Sequence, residues 1–93
     1  MEHRVVFIFR KCPPSHLLKL RWWGYDVASL EACPDVETVS DLGRYIRGRF
    51  VIVVGDRELA EELGVAYAAV EEVERFLAWL SRELPPAFKP YLQ

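Results

Sequence analysis

Arg49-Phe-Val-Ile-Val-Val-Gly-Asp-Arg-Glu-Leu59 is the stretch whose reading decides the fold. Residues 50–54 form an unbroken apolar run, rich in β-branched side chains. The run is too short for a buried helix and reads as a strand covered on both faces. Gly55 ends it, and Asp56 stands where a helix would begin. Residues 57–63 make that helix and Gly64 supplies its stop. A buried strand, a turn and a helix N-terminus together form the place where open α/β sheets hold their ligands.

Upstream, residues 4–9 carry the same two-sided apolar character and predict the first strand. Arg10-Lys11-Cys12-Pro13-Pro14-Ser15 is the turn after it, with Ser15 expected as a helix N-cap. That helix runs to about Trp23 and stops at Gly24. Its apolar positions cover more than half the circumference, so it packs on two sides or joins a subunit interface. Residues 25–30 read as a second strand, and Cys33-Pro34-Asp35 punctuates. Val36, Val39, Leu42 and Ile46 recur at helical spacing, which predicts a helix over residues 36–47. Downstream of the central stretch, residues 65–70 read as a fourth strand and 71–84 as a final helix, ended by Pro85-Pro86. Residues 85–93 are a tail, expected to dock through Phe88 and Tyr91 or to stay disordered.

The expected order is therefore βαβαβαβα in one domain over residues 1–93. It implies a three-layer α/β/α sandwich with a mainly parallel sheet of about four strands and right-handed crossovers.

Composition narrows the classes. Hydrophobic residues make up 52% of the 93, enough for a core without staples. No apolar run approaches the ~18–20 residues that span a bilayer, and no signal pattern opens the chain. The expectation is a cytoplasmic protein without membrane contact. Asn is absent, Gln93 is the only Gln and Met1 the only Met, while Arg and Glu dominate the charge; this suggests a thermophilic source. Net charge is −2, with nine basic and seven acidic residues in 1–57 against three and seven in 58–93. This excludes a strongly basic general nucleic-acid binder but leaves room for a basic patch on the first half.

Turns after parallel strands share one sheet edge. They supply Arg10, Lys11 and Cys12, then Cys33, Asp35 and Glu37, then Asp56 and Glu58. Carboxylates converging from separate strand ends hold a hard cation such as Mg²⁺ or Mn²⁺. Asp35 and Asp56 also read simply as helix caps, and Glu58 as a favourable first-turn acid.

Two segments carry a resemblance: Leu17-Leu-Lys-Leu-Arg-Trp-Trp-Gly-Tyr-Asp-Val27 and the central stretch from Arg49 to Leu59. Together they resemble the small PIN-like nucleases, over roughly residues 5–64. In that family a leucine-rich helix ends in Gly-(His/Tyr)-Asp-Val, and a later strand ends in a Thr-Arg-Asp-Lys-Asp-Phe type of segment. The resemblance places the catalytic acids at Asp56, Glu58 and Glu37, and the metal ligands at Asp56, Asp35 and Glu37. It implies Mg²⁺- or Mn²⁺-dependent hydrolysis of RNA. The chain departs from the family after the first strand, where Phe9-Arg10-Lys11 stands in place of a metal-binding Asp. The resemblance therefore also admits a relative that keeps the fold without hydrolysis. In it Arg10, Lys11, Arg44, Arg47 and Arg49 would bind an anion, a nucleotide or an RNA backbone. Each arginine alone also reads as ordinary surface charge.

Two other classes compete. Cys12-Pro13-Pro14-Ser15 resembles the Cys-x-x-Ser of thioredoxin- and glutaredoxin-like proteins, where a helix N-terminus activates Cys12. That fold requires a cis-proline before the third strand, and no Pro lies between Pro34 and Pro85. Alternatively, Trp22, Trp23 and Trp79 mark a partner or homodimer surface, or simply complete a small core. Cys12 and Cys33 lack metal-site spacing; two separate buried thiols are expected, with a disulfide between neighbouring strand ends as the alternative. His3 and His16 read as surface residues.

Overall fold

A computed structural model of the chain describes residues 4–84. Its sheet has five strands, β1 (Arg4–Phe9), β2 (Asp26–Ser29), β3 (Glu37–Thr38), β4 (Arg49–Val54) and β5 (Ala66–Ala68), in the spatial order β3-β2-β1-β4-β5. Every pairing between these strands is parallel. The β-branched runs of β1 and β4 sit together at the centre, in register from Arg4↔Arg49 to Ile8↔Val53.

Alternation along these two strands sends side chains to two separate cores. Phe7, Phe9 and Val54 pack with Leu17, Leu20, Val73, Leu77 and Leu80 on one face. Val6, Ile8, Val51 and Val53 pack with Val39, Leu59 and Ala60 on the other. The first face is covered by a 3-10 helix (Ser15–Trp23) and by α3 (Val70–Glu83); the second by α1 (Leu42–Tyr45) and α2 (Arg57–Leu63). The architecture is α/β with a parallel sheet, compatible with a three-layer α/β/α sandwich. Among the described residues, no helix is long and apolar enough to cross a membrane.

The first helix is 3-10 rather than α, which explains its untidy α periodicity. A repeat of three residues per turn aligns Leu17, Leu20 and Trp23 along one edge. Leu17 and Leu20 are fully buried there, and Trp23 packs against the same core. Ser15 is not the cap: Pro14 occupies that position with no side-chain bond, and Leu17 N–H donates to the Pro14 carbonyl at 3.0 Å. Gly24 closes the helix at φ +90°, a left-handed conformation that a Cβ disfavours.

The largest departure from expectation is over residues 36–47. The chain first adds β3 to the edge of β2, with Glu37 opposite Ala28 and Thr38 opposite Ser29. Val39 N–H then donates to the Ser29 carbonyl at 2.9 Å. Val36, Thr38 and Val39 are β-branched and suit an edge strand, so their helical spacing to Leu42 and Ile46 is coincidental. A helix starts only at Asp41, whose carboxylate accepts the Arg44 N–H, and Gly43 inside it keeps it short. The sheet therefore has five strands rather than four, and a two-residue strand and a four-residue helix stand where one long helix was expected. The 65–70 strand contracts to β5 because Val70 already begins α3. The expected docking of Phe88 and Tyr91 lies outside the described residues.

Candidate functional site

From β1 the chain builds outward to β2 and β3 on one side, then returns to lay β4 and β5 on the other. The order reverses between β1 and β4, so a crevice opens beyond their C-terminal ends. A cleft of about 300 Å³ lies there, lined by Phe9, Arg10, Lys11 and Cys12 from the β1 turn and by Val54, Gly55 and Asp56 from the β4 turn. Gly55 adopts φ +76°, and a Cβ on it would come to 3.3 Å from Val70 Cγ2. The rim turn is thus fitted closely to the start of α3.

Arg10 and Asp56 meet across this crevice. Arg10 Nε donates to Asp56 Oδ2, and Asp56 Oδ1 accepts the Leu59 N–H at 2.9 Å. Asp56 is therefore both the α2 cap and the partner of Arg10. The Arg10 bond, then the Leu59 N–H, hold the Asp56 carboxyl below its ordinary range, and the Arg10 guanidinium is pushed up in return. A carboxylate depressed in the folded chain stabilises it above the unfolded carboxyl pKa. That contribution is lost as pH falls through the folded value. Asp56→Asn is accordingly expected to lower the Tm near neutral pH, with the gap to wild type closing below about pH 4. Thermal melts across pH check this, and a gap independent of pH would contradict it.

The other expected ligands lie elsewhere. Glu37 is in β3, three strand spacings from β4, or roughly 14 Å at ~4.8 Å per spacing. Its carboxylate accepts from the Tyr45 hydroxyl at 3.2 Å, and burial, then Glu37, pushes that hydroxyl's pKa up to about 12. Asp35 adopts φ 62°, and its carbonyl accepts from Arg21 at 2.8 Å. Glu58 is exposed in the first turn of α2. Among the described residues, none of Asp35, Glu37, Asp56 or Glu58 belongs to a group of three metal-capable side chains with ligand atoms within 4.8 Å of one another. A hard divalent cation needs several such oxygens at once. Asp56, already accepting from a guanidinium, and Glu37, far along the sheet, do not fit one.

The cations divide as well. Arg10 and Lys11 are exposed at the crevice. Arg49 opens β4 at the opposite sheet edge, with its guanidinium 4.1 Å from the Tyr45 ring centre and Nη1 donating to the Tyr45 carbonyl at 2.6 Å. Arg44 and Arg47, in the segment leading to it, line a separate shallow depression with Asp41 and Gly43. The five expected anion-binding residues therefore form two groups.

Cys12 and Cys33 are joined in a disulfide with Cα atoms 5.6 Å apart. This corrects the expectation of separate buried thiols: Cys12 is exposed and Cys33 half-buried. Phe9 and Ser29 are in register on adjacent parallel strands, so the turns after them leave side by side. The thiol that the thioredoxin-like resemblance would use is here paired with Cys33. The strand pairings are all parallel, and there are no cis peptide bonds among the described residues. Glu31 was not singled out from sequence, although it lies two residues before Cys33 in the turn that faces Cys12. Its Oε2 is 3.4 Å from Cys12 Sγ.

The tryptophans are anchored in part. Trp23 Nε1–H donates to the Leu84 carbonyl at 3.3 Å, and Trp22 contacts Trp23 with ring centres 6.3 Å apart. Trp79 is 45% exposed and stacks on Phe76. His16 is exposed but bonded to the Glu74 carboxylate at 2.8 Å, and His3 lies outside the described residues. Comparison with family models, with curated proteins and with solved structures finds no match to this chain.

Proposed function

We infer that the chain is a non-hydrolytic relative of the PIN-like nucleases that binds the phosphodiester backbone of single-stranded RNA at the β1–β4 crevice. The observation that carries this is the Arg10 guanidinium bonded to Asp56. In a nuclease of this type a metal ion would sit beside that carboxylate. Here a fixed side-chain cation takes its place, and it has no open coordination position with which to activate water.

The Asp56 bond uses one of the five N–H donors of Arg10. The terminal amino groups and the Lys11 ammonium supply donors and positive charge for phosphate oxygens. Phe9, Val54 and Pro14 give the cleft an apolar wall. Asp56 keeps the guanidinium in place while α2 keeps Asp56 in place, so the donor is pre-positioned. Glu58 and Glu62 act on Arg10 from α2 and limit the local positive charge. Binding is therefore expected to be modest and salt-sensitive.

Fluorescence anisotropy with a labelled single-stranded RNA tests the reading. Wild type should bind at low salt. Lys11→Ala should weaken binding and flatten the dependence of log K on log salt by about 0.7, the single-strand contribution of one phosphate contact. Absence of binding at low salt, or binding indifferent to both Lys11→Ala and Arg10→Ala, would overturn it.

A further inference from the structure

Beside the crevice lies a cluster that the RNA reading does not use. Ligand atoms of Cys12, Glu31 and Cys33 fall within 4.8 Å of one another, and this is the one such group of three among the described residues. We propose that, once its disulfide is reduced, this cluster is a binding site for a thiophilic divalent cation such as Zn²⁺, with Cys12, Cys33 and Glu31 as its ligands.

The surroundings of the two sulfurs carry the argument. Cys12 Sγ lies 3.4 Å from Glu31 Oε2 and 3.8 Å from the Ala32 carbonyl oxygen, and Cys33 Sγ lies 3.2 Å from the Glu31 carbonyl oxygen. All three oxygens are acceptors. Disulfide sulfurs carry no hydrogen, so in the oxidised chain these contacts set lone pairs against lone pairs. The nearby donor is the buried Ser29 hydroxyl, 3.3 Å from Cys33 Sγ but 2.6 Å from the Glu31 carbonyl. It has a single hydrogen, and the shorter contact takes it. A wall of acceptors around two sulfurs is suited to a positive charge among them.

The chemistry balances with a dithiol as reductant. One thiolate of the dithiol attacks a protein sulfur and breaks the Cys12–Cys33 bond, and its second thiol then closes the dithiol's own disulfide. Two electrons and two protons end on Cys12 and Cys33 as thiols. Zn²⁺ then displaces both thiol protons to solvent and takes the two thiolates and the Glu31 carboxylate, with water as fourth ligand. A tetrahedral ion with Zn–S bonds of ~2.3 Å sets its sulfurs ~3.8 Å apart, so the two sulfurs, bonded to each other in the oxidised chain, must separate on reduction to take the ion between them. Disulfide formation removes both thiolates, so oxidation and metal binding exclude each other.

The full chain, reduced with a dithiol and freed of it without oxygen, is titrated with Co²⁺. One equivalent should produce thiolate-to-cobalt charge-transfer absorption, which Zn²⁺ abolishes by displacement. The oxidised chain, Cys12→Ser and Cys33→Ser should lack that absorption. Glu31→Gln should keep it with affinity at least about tenfold weaker, since losing even a partner that only supports a ligand costs roughly 10–100-fold. Circular dichroism follows the fold throughout. A reduced chain that unfolds and regains structure with one equivalent of Zn²⁺ supports the site, and one that stays unfolded with Zn²⁺ contradicts it. A folded, reduced chain without the absorption, or Glu31→Gln with wild-type affinity, overturns the proposal.

Discussion

Reducing the Cys12–Cys33 disulfide in metal-free buffer is expected to lower stability by about 3 kcal/mol, from the loop-closure entropy of a loop of some twenty residues. For a domain of this size that corresponds to a fall in Tm of roughly 12–24 °C. The loop it closes contains the 3-10 helix and all of β2. In the unfolded chain the link restricts every residue between the cysteines. In the folded chain the strand register already places the two turns together, so the link asks little further ordering. Cys12→Ser with Cys33→Ser should reproduce the loss without reductant. A change below ~1 kcal/mol would mean that the reduced unfolded chain keeps these strands associated.

Leu17→Ala is expected to cost a comparable amount, about 3 kcal/mol within a range of 2–5. Leu17 is fully buried in the core beneath the 3-10 helix, against residues of β1 and α3. A 3-10 helix has poorer backbone hydrogen-bond geometry than an α-helix, so its place on the sheet depends on the side chains it buries. Removing three carbons there leaves a cavity that the flanking β1 and α3 side chains fill only in part. Trp79→Ala supplies the contrast. At 45% exposure it should change the stability of a monomer by no more than ~1 kcal/mol. Chemical denaturation measures both. A large loss at Trp79 that grows with dilution would point instead to a second copy covering it.

The legible parts of the chain were those where one local signal sufficed. β1, β4 and α2 followed from apolar runs, the Asp56 cap and the Gly64 stop. α3 followed from a stripe of Val73, Phe76, Leu77, Leu80 and Leu84; the core buries Val73, Leu77 and Leu80, Phe76 packs against it in part, and Leu84 stays exposed. β3 was hidden because four apolar residues happened to fall at helical intervals, while the decisive partner, the open carbonyl edge of β2, is distant in sequence. The position of Glu37 depends on the same segment. With residues 36–47 as a helix, Glu37 would follow a strand end near Asp56; as β3, it is carried to the far edge of the sheet. The shared rim of Arg10 and Asp56 could be inferred from parallel strands. Their direct bond could not, since it depends on β1 and β4 being immediate neighbours in register. Glu31 escaped notice because a lone acid in a turn gives no signal until Cys12 arrives beside it.

The central claim is that a guanidinium, rather than a metal ion, governs Asp56 and that the crevice binds RNA without cutting it. The direct measurement is cleavage of a labelled single-stranded RNA by wild type and by Asp56→Asn, each with and without Mn²⁺. The account predicts that all four samples match the protein-free blank. Mn²⁺-dependent cleavage by wild type that Asp56→Asn abolishes would contradict it.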